Sequence, residues 1–73
     1  MDLNQMYVTL CDFFISYDDI AVYKEEKAIM VRTDSSAFFS GTSLSFVVRL
    51  CNAFNYSFFI SKSDYGSLFI RIY

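Results

Sequence analysis

Few side chains in this sequence can do chemistry, and what is missing is as informative as what is present. There is no His. The side chain that titrates nearest neutrality is therefore absent, and general acid–base work would fall to carboxylates. Carboxylates occur as two adjacent pairs, Asp18-Asp19 and Glu25-Glu26. Each pair separates apolar runs, the position of solvated loop charges. Cys11 and Cys51 sit inside apolar helical stripes with no base close in sequence, so neither has the setting of an activated nucleophile. No C-x-x-C or zinc-type spacing occurs, and Gly41 and Gly66 are too isolated to form a phosphate-cradling loop. The expectation is a protein that is not an enzyme, with no catalytic residue, metal site or cofactor.

Aromatic rings and guanidinium groups remain, and these bind. The chain has 73 residues, nine Phe, six Tyr and 55% hydrophobic residues. A domain this short has a high ratio of surface to volume. That much apolar side chain exceeds what its core can hide, which predicts apolar surface that meets a partner. Net charge is −2, with eight acidic against six basic residues. High apolar content and low charge exclude disorder. No run reaches the ~20 apolar residues of a membrane span. The first residues, Met1 to Gln5, are polar where a signal peptide would be basic and then apolar. A cytoplasmic protein with no membrane partner follows as the expectation, and in that compartment both thiols stay reduced and buried.

Two kinds of element must hold the rings and guanidinium groups. Asp2 followed by Gln5 is a capping-box pattern. Leu3, Met6, Tyr7, Leu10, Phe13, Phe14 and Tyr17 then recur at helical spacing until Asp18-Asp19. Residues 20–24 and 28–33 are β-rich runs around a charged turn, with Ile20, Val22, Ile29 and Val31 directed at the core. Asp34 to Gly41 is a linker. A second helix spans about 43–55, capped by Ser40 or Thr42, with Leu44, Val47, Val48, Cys51 and Phe54 as its main stripe. Phe46, Leu50 and Ala53 widen that stripe and leave Ser45, Arg49 and Asn52 polar. Residues 57–62 and 67–73 form the last hairpin around Ser63-Asp64-Tyr65-Gly66.

The halves match. Leu10-Cys11-Asp12 lies forty residues before Leu50-Cys51-Asn52, and Val31-Arg32-Thr33 lies thirty-nine before Ile70-Arg71-Ile72. An internal repeat of approximately 2–33 and 42–73 is expected within one domain, residues 1–73. The fold class is α+β: duplicated helix–β-hairpin units (αββαββ), a four-stranded antiparallel sheet with two helices on one face.

Strand alternation then places Ala21, Tyr23, Ala28, Met30, Arg32, Phe59, Phe69, Arg71 and Tyr73 on the other face. A solvated face reads polar. This one reads as an interface core, rich in aromatics, Met and Arg. The partner-binding set is Tyr23, Met30, Arg32, Phe59, Phe69, Arg71 and Tyr73. The alternative cover for this face is the Asp34–Gly41 linker with Phe38 and Phe39. The expected partner is a protein, with self-association into a homodimer or larger homo-oligomer. Single-stranded nucleic acid is second, because rings stack bases and Arg holds phosphate, while a net negative chain attracts a polyanion poorly. Richness in Phe, Tyr and Ile, with no Pro, matches AT-rich codon usage. That points to a phage or mobile-element inhibitor or adaptor, acting in the host cytoplasm, with anti-defence inhibition the most concrete version.

Overall fold

The computed structural model describes residues 1–34, 39–62 and 67–73. The elements run α1 (Leu3–Phe13), β1 (Ile20–Lys24), β2 (Ile29–Thr33), α2 (Gly41–Ala53), β3 (Phe58–Lys62) and β4 (Leu68–Ile72). Two helices and a four-stranded antiparallel sheet make an α+β fold in the order αββαββ. The expected turn at 63–66 and Phe38 lie outside the described residues.

The start of α1 is the capping box read from the sequence. The Gln5 N–H donates to Asp2 Oδ1 at 2.8 Å, and the Asp2 N–H donates to Gln5 Oε1 at 2.9 Å. Two donors that the first turn leaves orphaned are thus satisfied reciprocally. The helix stops at Phe13 with Phe14 as its C-cap, earlier than the stripe to Tyr17 suggests. The turns after it, Tyr17 N–H to Phe14 C=O and Ile20 N–H to Tyr17 C=O, feed the chain into β1. Tyr17 stays half-buried because its ring packs on Phe13 and Phe14.

Helix α2 starts two residues before the expected position. Ser40 caps it, accepting the Ser43 N–H at 3.1 Å and donating to Ser43 Oγ at 2.9 Å. Ser43 is fully buried, so the second bond keeps its hydroxyl from being desolvated without a partner. The far end differs from expectation. Asn55 is not helical; it takes a left-handed φ of 60°. Its geometry lets the Tyr56 N–H return to Cys51 C=O at 2.9 Å, the bond of a Schellman termination. Phe54, expected in the apolar stripe, leaves helical geometry at the C-cap and is 40% exposed. Ala53 is exposed with it.

The sheet order is β1-β2-β4-β3. The two hairpins meet along β2 and β4, with Ile29 opposite Ile72, Met30 opposite Arg71, Val31 opposite Ile70 and Arg32 opposite Phe69. Thr33 extends this ladder through its side chain, which accepts from Leu68 N–H at 3.2 Å and donates to Leu68 C=O at 3.3 Å. One core cluster joins Met6, Leu10 and Phe14 of the α1 segment, Ile29, Val31, Ile70 and Ile72 of the inner strands, and Val47 and Cys51 of α2. Phe39 completes it from the linker. Of the strand residues expected in the core, Ile29 and Val31 are buried, while Ile20 and Val22, on the edge strand, are half-buried. Ala28, expected outward, is fully buried. It precedes β2 at the hairpin end, where its C=O accepts the Glu25 N–H, so strand alternation does not set its direction.

Candidate functional site

Buried Ile29, Val31, Ile70 and Ile72 define the inner face of the sheet. Their alternates, Met30, Arg32, Phe69 and Arg71, take the outer face. The register aligns these residues into rows. Tyr23, Met30, Arg71 and Phe59 lie opposite one another across all four strands. Ala21, Arg32, Phe69 and Ser61 form the next row. Residues from both hairpins thus share one surface only because β2 pairs with β4.

The rings touch in offset geometry. Phe59 meets Phe69 edge-on with centroids 6.2 Å apart, and Tyr73 at 6.1 Å. The Arg71 guanidinium carbon lies 5.9 Å from the Tyr73 ring centre, within cation–π range. Tyr23, Phe59 and Tyr73 are 51%, 41% and 52% exposed, and Arg32 is also exposed. Met30, Phe69 and Arg71 are half-buried among these neighbours. Arg71 Nε is buried and has no hydrogen-bond partner among the described residues. The linker does not supply Phe39 as a cover, because that ring is in the core cluster.

An acidic cleft of about 170 Å³ lies at one end of this face, lined by Asp18, Asp19, Asp34 and Arg32 together with Tyr23. Sequence spacing did not reveal it. The backbone bond from Asp34 N–H to Asp19 C=O, 3.0 Å, brings the two ends of the first hairpin together and with them the three carboxylates. Among the described residues, no group of three His, Cys, Asp or Glu is arranged to hold a metal ion.

The thiols are both free and lie away from this face. Cys51 is buried, and desolvation pushes its pKa up to about 11. Cys11, expected buried, is half-buried. Its hydrogen bond with Tyr7 raises the Tyr7 hydroxyl above its ordinary value. Cys51 is not placed as a thiolate nucleophile, which needs a lowered pKa.

Comparison of the chain with protein families, curated proteins and solved structures finds no match. No helix among the described residues is long and apolar enough to cross a membrane.

Proposed function

We propose that this is a small non-enzymatic binding module whose contact surface is the outer sheet face and whose partner is a protein. The row Tyr23–Met30–Arg71–Phe59 carries the reading. Large rings flanking a guanidinium group, half-exposed on an ordered sheet, supply contact area at low entropic cost. Net charge of −2 and AT-rich residue usage support an inhibitor or adaptor of phage or mobile-element type, acting on a host factor and serving anti-defence.

Within the same proposal, the face is the product of a duplicated helix–hairpin unit with both helices on the inner side. The β2–β4 register supports this: a shift of thirty-nine maps Val31–Ile70 onto itself and exchanges Met30–Arg71 with Arg32–Phe69. The C-caps Phe14 and Phe54 stand forty apart. Side chains of both helices also join one cluster with the inner strand residues.

The test pairs Tyr23→Ala with Arg32→Ala, both exposed. Truncating such anchors costs ~2 kcal/mol or more of binding at an interface centre. Exposed positions shift stability by no more than about 0.5 kcal/mol. A partner captured by the wild type from host lysate, then purified, should bind the wild type and lose at least tenfold in affinity for the variant, at an unchanged thermal midpoint. Equal affinity would place the interface elsewhere.

One observation favours a second reading, single-stranded nucleic acid. The strand rows of the outer face carry Arg32 and Arg71 as their charged residues; Arg32 borders the acidic cleft, while Arg71 lies in the row of rings. Titration with a fluorescent oligothymidine separates the two readings. Salt-sensitive binding that Arg32→Ala weakens would favour nucleic acid.

A further inference from the structure

Strand β3 is one edge of the sheet. Ser57 and Tyr73, just before it and opposite, exchange both backbone hydrogen bonds, each at 2.9 Å. In an antiparallel ladder such exchanging pairs recur at every second residue. Phe59–Arg71 and Ser61–Phe69 are therefore the next ones along the register. The N–H and C=O groups of Phe58, Ile60 and Lys62 then point away from β4, to the side where the sheet has no further strand among the described residues. Among the described residues these groups have no hydrogen-bond partner.

The side chains of this strand are exposed on both sides. Phe59 on the outer face is 41% exposed and Ile60 on the inner face 47%. The opposite edge is better covered, since α1 packs on β1 and Val22, midway along it, is half-buried. Edges that avoid pairing carry inward charges, Pro or bulges. Phe58-Phe59-Ile60-Ser61 has none, and the charge of Lys62 comes only at the end.

We infer that β3 pairs with β3 of a second copy, antiparallel about a two-fold axis at Ile60, joining two sheets into one. At full overlap the strand is complementary to itself in a single register. Only the residues whose backbone points outward can bond across the seam, and full overlap then sets Phe58 opposite the second copy's Lys62 and Ile60 opposite its own counterpart. Every free N–H and C=O of the strand is used. Opposite residues share a face. The two Ile60 side chains therefore cover each other on the inner side, and Phe59 stands beside the second copy's Ser61 on the outer side. The aromatic faces of both copies become continuous. The two Lys62 groups end up roughly 14 Å apart along the strands, four residues at ~3.4 Å each, beyond the screening length at physiological salt. A foreign extended segment would satisfy the same backbone groups, but nothing in this chain fixes its register. The pairing goes beyond the assignment of the outer face and does not depend on it.

Sedimentation mass over a concentration series, together with amide exchange by NMR, tests the pairing. The wild type should be a dimer at micromolar concentration, with the Phe58, Ile60 and Lys62 amides protected and losing protection on dilution. Ile60→Lys sets like charges against each other at the axis and should give a folded monomer. Ile60→Pro removes an N–H that β4 does not use, and serves if the Lys variant fails to fold. The variant Tyr23→Ala with Arg32→Ala should stay dimeric, so loss of partner binding there bears on the outer face alone. A monomeric wild type would overturn the inference. So would a dimer that survives the Ile60 substitutions, or one whose β3 amides exchange freely.

Discussion

Cys51 shows how much one side chain's surroundings govern its chemistry. Burial raises its pKa from 9.0 to about 11. The folded value lies above the unfolded one, so the native state keeps a proton that the unfolded chain gives up. The stabilisation is fully present below about pH 9 and is lost as pH rises through about 11. The thermal midpoint of the wild type should therefore fall faster over that window than that of Cys51→Ala, which starts lower because it leaves a cavity. A thiol reagent added to the native protein should label half-buried Cys11 before Cys51. The sequence placed both thiols in apolar stripes and could not separate them. Cys11 sits three residues after Val8 on the same helix side, and Ile15 follows in the turn beyond the helix. Both are apolar, yet Val8 is 56% and Ile15 82% exposed. Apolar identity alone does not distinguish a core stripe from an exposed one.

At the scale of elements, legibility follows how local the determinant is. The capping box needs only Asp2 and Gln5, and it stands where those residue types imply. Both hairpins are set by short runs and their parity, and Tyr23, Met30, Arg32, Phe59, Phe69 and Arg71 share one parity in the register. Ala28 departs because parity applies only inside a strand. The end of α2 departs because one residue's φ decides it. Asn tolerates the left-handed region better than other non-glycine residues, but its presence does not announce that it will adopt it. Asn55→Ala should destabilise the protein by about 1 kcal/mol, whereas Asn55→Gly should be neutral or slightly stabilising. Urea midpoints of the two variants, with unchanged slopes, provide the measurement. Equal loss in both would mean that the Asn side chain, and not the left-handed backbone, holds the termination.

For the whole molecule, the core cluster draws on both helices and both inner strands. Among the described residues one cluster joins the buried side chains of both halves. Leu10→Ala in α1 and Val47→Ala in α2 should each lower a single common midpoint, the Leu10 change by roughly 2–5 kcal/mol. Circular dichroism and tyrosine fluorescence should trace coincident transitions in each variant. A plateau between two transitions would show halves that unfold separately.

The β2–β4 ladder also determines when in time the molecule comes together. Each hairpin closes across a few residues, but Ile29 must find Ile72 and Val31 must find Ile70, partners about forty residues distant in the chain. Ordering so long a loop precedes any reward from the contacts it brings. The first hairpin can form and dissolve many times before the central ladder zips. Folding should therefore be limited by that search. Truncations at Val31 or Ile70 would then slow refolding, whereas truncations at Val22 would mainly quicken unfolding.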